Sequence, residues 1–371
     1  VGLFKQEYSG HVFDHGQTGK IGVLISNLGT PNAPTKKALR PYLKQFLADP
    51  RVVEFPRLLW WFILNGIILN FRPARSAKSY ATVWTEEGSP LAVHTAAQAQ
   101  KLAESLAESH GTELVVDWAM RYGSPSIADT VQKMLDKGVR KLVVLPLYPQ
   151  YSAATTASTF DAIAADFTRR RWLPEFRFVT SYHDHPAYIE AIADSIREHW
   201  LTHERAEKLL FSYHGVPLNY LHKGDPYHCQ CLATSRLVAQ SLGLKDDEYL
   251  ITFQSRFGRQ EWLKPYTDKT LIALAEEGIT SVSVICPGFS SDCLETIEEI
   301  GEENRDYFLN AGGQHFDYIP ALNSTPGHIQ LLKRLVTDNL QGWLNANTGE
   351  SQTTLQQRTE RHDQCPFNRA Q

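Results

Sequence analysis

At 371 residues, with 42% hydrophobic side chains, 21% charged side chains and a net charge of −4, the chain has the composition of an ordinary soluble protein with room for two α/β domains. No Lys/Arg-dense face or arm marks a nucleic-acid binder, and the Arg169–Arg171 triplet reads as a solvated helix end. Five widely spread cysteines make no disulfide framework, so a reducing cytoplasm is the expected compartment.

Val1–Lys20 is polar, aromatic and Gly-bearing, and reads as a loose tail without a signal-peptide pattern. Ile21–Leu28 (IGVLISNL) is an apolar run that predicts a buried strand, ending in Gly29-Thr30-Pro31. Helical spacing follows over Lys36–Ala48, stopped by Asp49-Pro50. Leu58–Leu69 (LLWWFILNGIIL) is strongly apolar, too short to cross a bilayer and interrupted by Asn65-Gly66. Periodicity alone favours a buried core helix there over an exposed apolar lip. Ala92–His110 is a helix, Glu113–Met120 a strand, Ile127–Lys137 a helix and Arg140–Leu147 a third strand, ending in Tyr148-Pro149-Gln150-Tyr151-Ser152.

The pattern then repeats. Strands are expected at Lys208–Tyr213, Tyr249–Phe253 and Ser281–Ile285, with polar or Gly/Pro-bearing ends at His214-Gly215-Val216-Pro217, Gln254-Ser255-Arg256-Phe257-Gly258 and Cys286-Pro287-Gly288. Strands alternating with helices give parallel sheets flanked by helices, so the fold class is α/β with two similar Rossmann-like domains facing each other across a cleft. The expected division is a tail over 1–20, a first domain over 21–183 with its apolar lip at 58–71, and a second over 184–324. A C-terminal helix over 325–347, centred on Ile329–Leu344, packs back on the first domain, and a disordered Gln-rich tail covers 348–371. No G-x-G-x-x-G follows the first strand and no G-x-x-x-x-G-K-[ST] occurs, so a site must be built from side chains.

Chemistry concentrates in CPGFSSDCLETIEEIGEE, Cys286–Glu303. Asp292 with Glu295 three residues on is a capping-box pattern. Glu295, Glu299 and Glu303 then recur every fourth residue, lining one helical face, with Glu298 and Glu302 beside them. Like charges so spaced oppose one another by roughly 0.2–0.5 kcal/mol per pair. Capping and a solvated face are the plain readings, but capping leaves Glu299 and Glu303 unexplained. The row begins where a sheet binds ligands, at a strand's C-terminal end, which points to a passing cation. His214, at another strand end of the same sheet, is either structural or the imidazole of an N/O site for a borderline divalent cation such as Fe(II), or a proton relay. Tyr122, Tyr148, Tyr151, Trp262 and Phe289 fall near strand ends; singly each is core, together they wall a cleft for a large planar ligand. Arg72, Arg75, Arg121 and Ser89 are candidates to meet its carboxylates. Cys229 and Cys231 form C-x-C, and Cys286 and Cys293 lie beside the acidic helix, but the spacing matches no common ferredoxin pattern and no iron–sulfur cluster is expected.

SNLGTP (Ser26–Pro31), LYPQYS (Leu147–Ser152), FSYHGVP (Phe211–Pro217), KGDPY (Lys223–Tyr227), FQSRFGRQEWLKPYT (Phe253–Thr267) and CPGFSSDCLETIEEI (Cys286–Ile300) closely resemble the ferrochelatases, in consistent order from Ile21 to Leu344. The resemblance implies insertion of Fe(II), as substrate, into protoporphyrin IX to give protohaem with release of two protons, and no permanently bound cofactor. It implies His214 as the active-site imidazole and Glu295 as its carboxylate partner across the macrocycle, with Glu299 and Glu303 continuing a metal or proton path. Asn27 and Leu28 match the loop beneath one porphyrin face, Arg121, Tyr122, Tyr151 and Phe289 the pocket, Trp262 an aromatic wall, and Arg72, Tyr80 and Ser89 positions near the propionates. Leu58–Leu69 matches the family's apolar lip, which reverses the preference for core and gives a peripheral contact with the inner face of a membrane. Cys293 departs from the many members that have His there, removing a second imidazole. Only Cys365 stands where cluster-bearing members have several cysteines, so neither cluster nor tail-mediated dimer is assumed and a monomer is expected. The competing readings are a chelatase of another tetrapyrrole, such as coproporphyrin III, and a non-catalytic haem or metal carrier.

Overall fold

The computed structural model describes residues 8–10, 19–110, 114–258, 260–344, 357, 360, 363 and 364. Most of both tails foreseen from the sequence, and Cys365, lie outside these residues. Among the described residues, eight strands form two sheets: β1 (Lys20–Thr30), β2 (Leu114–Gly123), β3 (Val139–Pro146) and β4 (Glu175–Phe178), then β5 (Lys208–His214), β6 (Tyr249–Gln254), β7 (Ser281–Ile285) and β8 (His315–Ile319). All pairings are parallel, in the orders β2-β1-β3-β4 and β6-β5-β7-β8, so the second sheet repeats the topology of the first.

The central strands were legible because helices cover both faces of each sheet, which makes a strand such as β1 apolar almost throughout. Apolar runs mark three strands in each domain and leave β4 and β8 unmarked. These are edge strands of four and five residues, EFRF and HFDYI, mostly half-exposed and without an apolar run. The end of β1 presses on β2: a Cβ on Gly29, whose φ is +117°, would lie 1.8 Å from the Tyr122 carbonyl oxygen, so only glycine fits.

One hydrophobic core runs through both halves. It contains Ile21, Val23, Val143 and Leu145 from the first sheet, Phe211, Tyr213, Ile285 and Ile319 from the second, and Leu332, Leu335 and Val336 from the last long helix. That helix, Pro326–Asn339, begins with proline in its first turn and packs against both the Pro90–His110 and the Pro186–Thr202 helices.

Leu58–Leu69 is three pieces: an α-helix Arg57–Ile63, a π-helical turn Leu64–Ile68 at Asn65-Gly66, and the start of the helix Leu69–Val83. Leu58 is 75% exposed and Phe71 74%, and Leu59, Trp61, Phe62 and Ile67 are also more than half exposed. Leu64 and Leu69 anchor the segment in the core. The Arg169–Arg171 triplet is not a free helix end. Arg170 is buried and pairs with Asp166 at 2.6 Å, while Ser9 bonds through its backbone to Arg169 and Arg171.

Candidate active site at the strand ends

In a sheet of this order, ligands bind where connections leave in opposite directions, outside the C-terminal ends of the central strands. In the second sheet that crevice is flanked by β5, which ends at His214, and by β7, which leads to Cys286–Leu294 and the acidic helix. His214 is half-buried and its Nδ1 lies 2.6 Å from the Gly215 carbonyl oxygen. A carbonyl only accepts, so Nδ1 carries the proton and Nε2 presents its lone pair. Gly215 is required for close approach: a Cβ there would stand 2.8 Å from the Gln254 carbonyl oxygen and 3.1 Å from Cε3 of the buried Trp262, which packs against the residue following His214.

Gln254 joins the two halves of this site. It is the register partner of His214 in β6, its carbonyl accepts from Gly215 N at 2.8 Å, and its Nε2 donates to the Glu295 carbonyl at 2.8 Å. Its Oε1 accepts from Ser212 Oγ at 2.7 Å. The neighbouring Ser255, held at φ +65°, donates to Glu299 from its backbone N at 2.7 Å and from Oγ at 2.5 Å.

The acidic helix differs from expectation in two ways. Glu295–Asn304 is a π-helix, with Leu294 ahead of it in helical conformation and no side-chain cap. Asp292 is no capping residue. Its carboxylate accepts from Thr296 Oγ1, Tyr318 OH, Ala321 N and Asn323 Nδ2, fixing the loop instead. The predicted row of carboxylates survives, because spacing four comes close to a full turn in either helix.

The three carboxylates stand in different surroundings. Glu295 is half-buried, with the Cys293 thiol hydrogen-bonded to it and Tyr42, Tyr80 and Arg72 of the first domain close enough to feel its charge. Burial pushes the Cys293 thiol far up, so it acts as a neutral donor. Burial also pushes Glu299 up to about 7, against the opposing hydrogen bonds from Ser255 and Gln254. Glu303 is exposed and accepts from Tyr307 OH at 2.6 Å. Glu299 and Glu303 line a cavity of about 160 Å³ with Asp268, Arg256 and Tyr307, which leads from the buried carboxylate outward. Among the described residues, no three donor atoms of His214, Glu295, Glu299 and Glu303 come within 4.8 Å of one another. These four side chains form no ready-made cage.

The first domain supplies the facing wall. Asn27 is buried and its Nδ2 donates to Thr95 Oγ1 at 3.1 Å and to Ser290 Oγ of the second domain at 3.4 Å. Leu28 and Phe289 pack in one apolar cluster with Cys293 and Leu91, across the seam between domains. Tyr80 is buried edge-on to Tyr42, 6.4 Å between centroids, behind Glu295. Arg72 and Arg75 stay exposed, and Arg72 reaches over the Phe257 ring of the second domain at 5.7 Å.

Other candidates turn inward. Arg121 and Tyr122 lie within β2, not in the loop beyond it, and both bind Asp49, at 2.5 and 2.9 Å. Against the opposing effect of burial, bonds from Ser158 Oγ and Arg51 N, then those from Tyr122 and Arg121, hold the Asp49 carboxyl below its ordinary range. Ser89 is buried and accepts from Thr30 Oγ1 at 2.8 Å. Tyr151 is half-buried in a loop tied by Gln230 to its backbone N. Sequence reasoning did not single out Gln254, Ser255, Tyr42 or Asp49. The signal for the first two was present, as polar residues directly following a buried strand.

Comparison with known proteins bears on this site. The model of the family described as Ferrochelatase matches residues 20–340. The chain is 64% identical over 362 residues to a protein named Ferrochelatase from Teredinibacter turnerae, covering 98% of each chain, and 63% identical over 352 residues to one from Idiomarina loihiensis, covering 95% of each. Among solved structures, SirB from Bacillus subtilis with Fe3+ superimposes with a TM-score of 0.50 at 11% identity, covering 89% of this chain and 98% of that one, a likeness of fold.

Proposed function

We propose, from the premise that this chain belongs to the ferrochelatase family and is an enzyme that inserts a metal into a porphyrin, that its substrates are Fe(II) and protoporphyrin IX, bound between the strand ends of the two sheets. The observation that carries the assignment of roles is the joint anchorage of His214 and the Glu295 helix on Gln254. Free-base porphyrin plus Fe(II) gives the metalloporphyrin and two protons, so the site must accept protons while it releases the cation. His214 takes a pyrrole proton at Nε2, the one ring nitrogen not already bonded to Gly215. Glu295, Glu299 and Glu303 form the path for opposite charge flow, and their open spacing suits a cation that must be passed on. Trp262, Leu28 and Phe289 give apolar walls, and clamping the remote ring offsets the strain of bending its centre.

The exposed lip around Leu58, Trp61 and Phe71 supports a greasy, sparsely carboxylated ring over coproporphyrin, and a peripheral contact with a membrane face by a cytoplasmic monomer. No helix of the described residues is long and apolar enough to cross a membrane. Anaerobic mixing with Fe(II) and protoporphyrin tests the reading through the spectral shift to metalloporphyrin. His214→Ala is expected to lower turnover by about 100-fold or more while porphyrin binding persists. Unchanged turnover in that variant would remove its role, stoichiometric binding without insertion would favour a carrier, and higher kcat/KM with coproporphyrin would reassign the substrate.

A further inference from the structure

A second cluster of metal-ligating side chains lies outside the cleft. The Pro186–Thr202 helix carries His199 in its last turn and is closed by His203, so two imidazoles four residues apart share one face. Their rings stack, centroids 3.9 Å apart and planes 5° from parallel, so one ring must rotate before both in-plane lone pairs can meet a common ion. Asp317 of the edge strand β8 meets them: one donor atom from each of His199, His203 and Asp317 can be taken so that all three lie within 4.8 Å of one another. Among the described residues this is the one His/Cys/Asp/Glu trio so arranged.

Other observations point the same way. Nε2 of His199 is buried and has no hydrogen-bond partner, nor has Oγ of Ser283, the register partner of Asp317 in β7. Trp200 and Ser283 line one small recess, which puts this end of the helix on the Ser283 face of the sheet. Nδ1 of His203 lies 2.9 Å from Thr202 Oγ1 and 3.2 Å from the His199 carbonyl oxygen, which leaves Nε2 as its outward nitrogen, with Nδ1 held by the kind of outer bond that orients ligating histidines. Ser283 is level with Leu209, five residues before His214 on β5, so the trio sits about 16 Å down the sheet from the cleft.

We propose that His199, His203 and Asp317 bind a first-row divalent transition cation of the Zn(II) or Fe(II) class, pinning the edge strand β8 to the helix. Two imidazoles and one carboxylate satisfy such a cation and leave positions for water, whereas Mg(II) prefers oxygen throughout. The site does not depend on the chelatase reading, because it shares no residue with the cleft.

Calorimetric titration of the metal-free full chain with Zn(II) tests this. A binding event is expected that persists in His214→Ala and is weakened in His203→Ala and Asp317→Asn. Loss of an outer bond alone weakens metal sites by about 10–100-fold, so loss of a ligand is expected to cost about 100-fold or more. Zn(II) is expected to raise the melting temperature of the parent chain and not that of His203→Ala. His203 is exposed, so its truncation leaves the fold and the porphyrin turnover as they were. Equal zinc affinity in the parent and His203→Ala, the absence of any event outside the His214 site, or Mg(II) binding as tight as Zn(II) would overturn the proposal.

Discussion

Glu299 bears the sharpest conflict of any single side chain in the site. Burial opposes its charge while Ser255 and Gln254 bond to its carboxylate, and burial wins, leaving it at about 7. The folded chain therefore keeps a proton that the unfolded chain gives up near 4.5, and stability is lost as pH rises through that window, by about 3 kcal/mol at pH 8. Glu299→Gln, which is neutral and can keep an acceptor for the Ser255 N–H, is expected to be more stable than the parent at pH 8 and no more stable at pH 5. Urea titrations at the two pH values measure the difference, and a gap independent of pH would show that charge burial is not its source. The sequence displayed Glu299 as one of three equivalent acids. Their inequality comes from what the fold places beside each: Ser255 by Glu299, Cys293 by Glu295, Tyr307 by Glu303.

At the scale of elements, the π-helix sets how the acids advance along its surface. Four residues overshoot an α-helical turn by about 40°, and with about 4.4 residues per π-turn they fall short by about 33°, so the row drifts with the opposite hand. Asn304 helps to hold this form. It is buried, and its Nδ2 donates to the Glu299 carbonyl at 2.7 Å. Asn304→Ala removes the side-chain bond to that carbonyl and is expected to cost about 1 kcal/mol, read as a lower urea midpoint, with slower metal insertion as Glu299 shifts off Ser255. No sequence pattern announces the π form, since a spacing of four over ten residues fits both helices. The lip was ambiguous for a related reason: apolar composition is the same whether a segment is buried or presented, and only the resemblance tipped the reading toward presentation. Because Trp61 and Phe62 are exposed, changing both to Glu is expected to abolish flotation with anionic vesicles while leaving the melting temperature within about 2 °C. A drop in melting temperature larger than that would mean that these rings serve the core.

Over the whole molecule, the doubled α/β pattern was plain in the sequence because each central strand is an apolar run closed by Gly, Pro or a polar residue. What could not be read was the continuity of the interior. Residues from both sheets and the last helix form one cluster, and the seam is stitched by Gln98, whose Nε2 reaches Ser290 O, Ser291 Oγ and Asn323 O. Such contacts join residues about 200 positions apart and leave no local trace. The two halves are therefore expected to melt as one unit, with calorimetric and van't Hoff enthalpies equal; two resolved transitions would show that the shared core is not cooperative.

The same long-range logic reaches the reaction through Gln254. With one edge of its amide held by Ser212 and the other by the Glu295 carbonyl, and its main chain bonded to Gly215, it sets the spacing between the strand end that carries His214 and the start of the acidic helix, the proposed proton acceptor and acid. Asparagine would be one methylene too short, and glutamate would bring a like charge against Glu299 and no donor. On the proposed roles, the gauge of the gap is thus written in one side chain, and the walls around the ring are free to change without altering the distance across which protons and metal would trade places.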